Sequence, residues 1–322
     1  MRVIVYGAGA IGGTIGGHLG RAGYDVILIA RPGQAKAVNE QGLKLITPTA
    51  THIVKVKAFT HPGQISFKPD DVVFITVKGQ NTVEVLSDLK KAVRDIPVFC
   101  FQNGVRNEEV ASGYFSRVYG VMMRLPTVYL KDGEVIARRD PPGFFVMGRY
   151  PRGKDELVEA VAKELRGASF YVLVADDVMP YKWDKLLLNL GNAVGAITNA
   201  RGKDVERINE AVRDEAKALL RAGGIRWVSD EELARESPEF TAPPKGVMDT
   251  EALSSTWQSL ARGRDVETDY LNGEIVRLAQ KLGRKAPMNE KLLSLCKEMG
   301  LKGEKPGKYT AAQLDALLGI KS

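Results

Sequence analysis

A run dense in β-branched residues, Met1-Arg2-Val3-Ile4-Val5-Tyr6, passes directly into Gly7-Ala8-Gly9-Ala10-Ile11-Gly12 and then into helix-compatible residues from Thr14 to Ala22. A strand feeding a GxGxxG turn and a helix gathers unpaired backbone N–H groups and the positive end of a helix dipole at one point, where a pyrophosphate can sit. Gly7 permits the tight turn, Gly9 lets the backbone approach phosphates, and Gly12 lets helix and strand pack closely. In isolation the pattern is weak; between a strand and a helix at the head of the chain it is specific. Residues Gly7, Ala8, Gly9, Ala10, Ile11 and Gly12 are therefore the expected dinucleotide contacts.

The next strand, Asp25-Val26-Ile27-Leu28-Ile29, ends in Ala30-Arg31, with Gln34 and Lys36 just beyond. A site for NAD carries Asp or Glu on the ribose 2′-OH at about this distance past the glycines. An Arg there pairs instead with a 2′-phosphate through a bidentate, charge-assisted fork. Arg31 thus points to NADP(H); the competing view is a solvated loop charge.

With 322 residues the chain has the length of two domains. No apolar stretch approaches the ~20 residues of a membrane helix, and Met1 leads straight into a strand with no signal-peptide pattern. Cys100 and Cys296 are far apart in sequence and suggest no disulfide framework, which fits a reducing cytoplasm. The net charge of +7 does not mark a nucleic-acid binder, because the basic residues are scattered among acids with no aromatic interleaving. No nucleic-acid partner, membrane or metal ion is expected.

Strand and helix signals alternate through the first half: Val72–Val77, a helix from Val83 to Val93, Pro97–Phe101, then segments near Val118–Val121 and Val128–Leu130, a hairpin turn at Lys131-Asp132-Gly133-Glu134, Phe144–Met147 and Tyr171–Val174. His52 and His61 fall in a stretch that reads as loop-rich. Past Asp176 helical patterns take over: about Val178–Asn199, Asn209–Ala222, one from Thr250, Asp269–Leu282, Met288–Met299, and a last one capped by Thr310. The expected architecture is an α/β, Rossmann-type dinucleotide-binding domain over residues 1–176 and an all-α domain over 177–322, the substrate and catalytic half.

In the second half, Lys185, Asn189 and Asn192 share a stripe on a 3.6-residue period among leucines and small residues. Sinking such polar groups into an apolar helix is costly unless each finds a partner, so the stripe should face protein polar groups or a ligand. Reducing a carbonyl needs a proton donor. The chain's three histidines are poorly placed for it, whereas desolvation lowers a lysine's pKa from ~10.4 towards the physiological range. A further constellation comprises Ser254-Ser255, Gly263-Arg264 and Glu267-Thr268-Asp269-Tyr270-Leu271-Asn272-Gly273. Glu267 there also reads simply as an acid favoured at a helix start. Lys78 and Gln102-Asn103-Gly104 follow strand ends, on the side where open parallel sheets bind ligands, though Asn-Gly is also a common turn.

Together these pieces resemble the ketopantoate reductase (2-dehydropantoate 2-reductase) family. The match rests on the glycine turn, Thr76-Val77-Lys78, Gln102-Asn103-Gly104, Lys182-Trp183-Asp184-Lys185-Leu186-Leu187-Leu188-Asn189, Ser254-Ser255, Glu267 to Gly273, and Pro287 with Asn289. The resemblance implies NADPH-dependent reduction of ketopantoate to pantoate in pantothenate and coenzyme A synthesis, in the cytoplasm. Lys185 would be the general acid and Glu267 the carboxylate at the reacting centre. Asn103, Asn189, Asn192 and Ser255 would hold the substrate, with Lys78, Asn103 and Glu267 at the cofactor. A homodimer stays open. Three departures bear on substrate choice: Ala193 where a second Asn is usual, with Asn192 one place early; Met122-Met123-Arg124-Leu125-Pro126 in place of small polar residues; and a long connection from Arg226 to Thr250. A reductase of another small 2-oxo acid is the alternative, followed by a non-catalytic NADP(H)-binding sensor.

Overall fold

The computed structural model describes residues 1–249, 254–263 and 265–320. Every residue of the strand Arg2–Tyr6 is buried, and successive side chains enter opposite cores: Val3 and Val5 one, Ile4 and Tyr6 the other. The strand Asp71–Ile75 divides likewise, Val72 and Phe74 against Val73 and Ile75. A strand alternates its side chains with period two, so covering both faces turns the sequence into an unbroken apolar run. Each fully buried Val or Ile contributes about 1.5–3 kcal/mol.

These strands belong to an eight-stranded sheet, in spatial order Tyr171–Val174, Phe144–Arg149, Val118–Arg124, Val98–Cys100, Asp71–Ile75, Arg2–Tyr6, Asp25–Ile29 and Lys57–Phe59. Only Phe144–Arg149 against Val118–Arg124 is antiparallel. Numbered among themselves from the Lys57–Phe59 edge, the first six strands run 3-2-1-4-5-6, the dinucleotide-binding order. That order reverses between Arg2–Tyr6 and Asp71–Ile75, so the loops starting at Gly7 and Thr76 flank the switch point. At the opposite ends of the same two strands, Arg2 and Asp71 form a buried two-pronged ion pair at 2.7 and 2.6 Å. The amide of Lys68 completes the carboxylate's shell at 2.7 Å.

The stretch that reads as loop-rich is not loop. Leu43–Ile46 and Thr51–Val54 form an antiparallel hairpin, which Glu134–Ala137 and Thr127–Val128 extend to a four-stranded sheet. His52 lies in the second of these strands, with its Nε2 3.1 Å from Nη1 of Arg21. His61 caps the short turn Pro62–Gln64, its Nδ1 accepting the Gly63 amide. These strands are brief and alternate apolar with polar residues, so their signal is weak.

The chain groups into two compact units: residues 1–102, 106–181 and 229–249 in the first, and 103–105, 182–228 and 250–322 in the second. Among the described residues all the strands lie in the first, and the second is helical. The sequence predicts a single boundary after Asp176; in the structure Ser229–Asp249 packs with the first unit. Its short strand Gly246–Val247 pairs antiparallel with Arg139–Asp140, Asp230 bonds Arg124 at 2.5 Å, and the Phe240 ring meets Phe144 at 5.4 Å. The Tyr181 hydroxyl donates to Glu236.

The expected helix Val178–Asn199 is two helices, Met179–Asn189 and Gly191–Thr198, meeting at Leu190. The side-chain amide of Asn272 reaches the Leu190 carbonyl at 3.4 Å, and a Cβ on Gly191 would lie 2.7 Å from the Asn209 side chain. Similarly, Asp269–Leu282 resolves into a turn, Thr268–Tyr270, and a helix, Asn272–Lys281, separated by Leu271 at φ −119°, ψ −96°. The helix expected from Thr250 is described as Ser255–Ala261, its proposed start lying outside the described residues. Among the described residues no helix is long and apolar enough to cross a membrane.

Candidate functional site

The glycine turn is built by backbone and held by neighbours. The amides of Gly7 and Ala8 both donate to the Ile29 carbonyl, at 2.9 and 3.1 Å. Gly7 has φ +115°, and a Cβ there would sit 2.7 Å from Val77 Cγ1 and 2.8 Å from the Val77 nitrogen. Only glycine tolerates both the left-handed backbone and that approach of the two switch-point loops. Thr76 pins the turn from the other side, its hydroxyl donating to the Tyr6 and Gly7 carbonyls at 3.0 Å each. That contribution was not assigned from the sequence, although Thr76 is one of its matching residues.

Gly9 is different. Its nearest neighbour to an added Cβ is the Gly7 carbonyl at 4.0 Å, so packing within the protein does not explain the missing side chain. It is the N-cap of the helix Ala10–Arg21, which has no side-chain cap and no acid in its first turn. The first-turn amides of Ala10, Ile11 and Gly12 have no acceptor within the helix by geometry. Open space over an uncapped, acid-free helix start is what a pyrophosphate requires. The residues present therefore fit the dinucleotide expected from the sequence.

Arg31 lies two positions past the second strand, as N-cap of the helix Pro32–Gln41. It is exposed, and among the described residues it forms no ion pair or side-chain hydrogen bond. Lys78 is half-buried at the start of the turn Gly79–Asn81, past the carboxyl end of Asp71–Ile75. Below the glycine turn, His18 is buried in the helix Ala10–Arg21, edge-on to Phe170 at 5.2 Å between centroids. Burial pushes its pKa down to about 3, so it is a neutral core ring.

The remaining expected residues lie in the second unit. Lys185 is half-buried on Met179–Asn189, one turn before the buried Asn189. Asn189 donates from Nδ2 to Oδ1 of Asn103 at 3.2 Å, bringing together two residues 86 positions apart. Gly104, at φ +84°, lets this short loop pass the Tyr270 carbonyl, which would be 2.7 Å from a Cβ. Asn192 lies beyond the interruption at Leu190 and is half-buried, so the stripe crosses a helix junction. Its carbonyl accepts the Ser254 hydroxyl at 3.2 Å, and Ser254 also caps the helix that Ser255 begins. Glu267 is buried as N-cap of the turn Thr268–Tyr270, a start but not that of a regular helix.

A largely buried polar chain links further residues of the same unit. Asn272 spans the Leu190 carbonyl and Asn289 Oδ1, the latter at 3.0 Å. Asn289 donates in turn to Glu215 at 2.9 Å, whose carboxylate also accepts the amides of Met288 and Asn289, each at 3.0 Å. Glu215 was not singled out from the sequence; nothing local marks it, since its partners lie more than 70 positions away. Two of the three departures noted above meet in the first unit: Arg124, bonded to Asp230, lies 4.8 Å over the Phe240 ring.

A mostly parallel sheet with a glycine turn at its switch point, followed by a helical unit bearing Lys185 and its asparagines, defines a class of two-part oxidoreductases. Family models for Ketopantoate reductase PanE/ApbA match residues 3–152 and, for its C-terminal part, residues 177–300. The chain belongs to the ketopantoate reductase family. A 2-dehydropantoate 2-reductase of Pyrococcus abyssi is 31% identical over 319 residues, covering 95% of this chain and 100% of that one. The crystal structure of a PanE/ApbA family ketopantoate reductase from Ralstonia eutropha superposes with a TM-score of 0.78 at 32% identity, covering 94% of this chain and 99% of the other. D-mandelate dehydrogenase, solved with NADH and anilino(oxo)acetate, shares the fold at a TM-score of 0.81 and 19% identity, with 94% and 99% of the chains covered.

Proposed function

We propose that this protein reduces ketopantoate to pantoate with NADPH, a step of pantothenate and coenzyme A synthesis in the cytoplasm. The observation that carries the reading is the Asn189–Asn103 hydrogen bond one helical turn from Lys185, in a chain whose full-length relatives are named 2-dehydropantoate 2-reductase. The first-turn amides at Ala10, Ile11 and Gly12 hold the pyrophosphate, Gly9 leaves it room, and Arg31 pairs with the 2′-phosphate. Lys78, Asn103 and Glu267 contribute at the nicotinamide end. When bound, NADPH would supply a hydride to the carbonyl carbon. The Lys185 ammonium gives its proton to the carbonyl oxygen, becomes a neutral amine and is reprotonated from solvent. Asn103, Asn189, Asn192 and Ser255 fix the 2-oxo acid by hydrogen bonds, and the buried Glu267 carboxylate orients the reacting hydroxyl.

The test is NADPH oxidation with ketopantoate and with a panel of other 2-oxo acids. Turnover with ketopantoate far above the rest supports the reading. A second reading, the same reaction on another 2-oxo acid, is favoured by the Arg124–Phe240 contact, since both members belong to segments that depart from the family pattern. Turnover confined to a different acid would select it, and nucleotide binding without turnover on any acid would contradict both.

A further inference from the structure

Gln34 sits in the first turn of the helix Pro32–Gln41, three positions after Arg31, and is 1% exposed. Its Nε2 donates to the Ala8 carbonyl at 3.1 Å, and its Oε1 accepts the Gly133 amide at 2.5 Å. One buried amide therefore ties together the glycine turn, the helix that Arg31 caps, and the hairpin loop Lys131–Glu134. The hairpin is seated closely on that helix: the Tyr129 hydroxyl donates to Asp132, whose carboxylate crowds Gly33, and a Cβ on Gly133 would lie 3.0 Å from the Ala37 Cβ. A buried side-chain amide with both ends satisfied across three segments is a rigid clamp, since breaking either bond strands a desolvated partner.

We infer that Gln34 is a positioning residue that sets the distance between the glycine turn and Arg31, and through it the preference for a 2′-phosphorylated dinucleotide. The inference rests on the assignment of Arg31 made under the proposed function. The two anionic groups of NADPH are joined by a fixed adenosine, so the pyrophosphate cradle and the guanidinium must keep a fixed spacing to engage both. NADH has no 2′-phosphate to place on Arg31 and so makes no demand on that spacing. Gln34 touches neither phosphate and acts through its neighbours.

The experiment measures NADPH and NADH dissociation constants by fluorescence titration on the unchanged protein and on Gln34→Leu, with the Tm of each. Expected is a weakening of NADPH by about tenfold, the factor one hydrogen bond of ordinary net strength carries, with NADH changed less than threefold and kcat at saturating NADPH retained. A folded variant in which both nucleotides weaken equally, or in which Tm falls while both constants stay put, would overturn the inference. Should Gln34→Leu not fold, Gln34→Glu keeps the acceptor for Gly133, loses the donor to Ala8, and is held to the same outcomes. Equal affinity of the unchanged protein for NADPH and NADH would instead remove the role of Arg31, and the inference with it.

Discussion

The two units carry their candidate chemistry in different materials. In the first, the cradle is backbone: six consecutive residues, an uncapped helix start, and neighbours such as Thr76 and Ile29 that hold a turn in place. In the second, the groups are side chains from remote segments, Asn103, Lys185, Asn189, Ser255 and Glu267, in a unit that also holds the polar chain from Leu190 through the buried Asn272 and Asn289 to Glu215. A backbone site follows wherever the local fold forms. A side-chain site requires that distant segments arrive together, and each arrival needs its own polar support. The two halves should therefore fail differently when altered.

Arg31→Ala gives the largest of the smaller effects. Losing a charge-assisted pair should weaken NADPH by about 10- to 100-fold, on the scale of hydrogen bonds to charged groups, while kcat at saturating cofactor stays within about twofold. Parallel NADPH and NADH titrations check it, since NADH should be unaffected. In the helical unit, Asn289→Ala removes the acceptor of the buried Asn272 amide and one of three donors to Glu215, which keeps two backbone amides, and should cost about 1–3 kcal/mol of stability, read as a lower denaturation midpoint in urea. NADPH affinity of the folded variant should not change. An equal loss of cofactor affinity would break the division between the units.

The smallest effect per step is acid sensitivity of the first unit. His18 has a folded pKa of about 3, far below the unfolded value of ~6.5. The unfolded chain therefore binds the proton first, and stability is complete above pH ~6.5 and falls as pH drops from there towards 3, by about 1.4 kcal/mol per unit. His18→Leu should flatten that slope in urea titrations between pH 6.5 and 5. An unchanged slope would show that other groups govern acid unfolding.

What was legible in the sequence follows the same contrast. The strand, glycine turn and helix at the chain's start are contiguous and strongly patterned, and the sheet strands buried on both faces announce themselves as apolar runs. The hairpin Leu43–Val54 was not legible, because its strands are four residues each with mixed polarity. Neither was the interruption at Leu190: Gly191 beside it is a weak helix former, but a lone glycine does not fix a break, and its place depends on Asn272 and Asn209. Gln34 stood beside Arg31 in plain view, yet its partners are 26 and 99 positions away. Stripes such as Lys185 and Asn189 can be seen from spacing; what satisfies them cannot, since it is set by tertiary approach.

The central claim is that the first unit holds the cofactor while Lys185 in the second delivers the proton. Steady-state NADPH oxidation with ketopantoate and NADPH titration, run side by side on Lys185→Ala, test it most directly. The account predicts a kcat lower by roughly 10²–10⁴ with the NADPH dissociation constant unchanged. Turnover within a few-fold of the unaltered protein, or a loss explained by weaker cofactor binding, would contradict it.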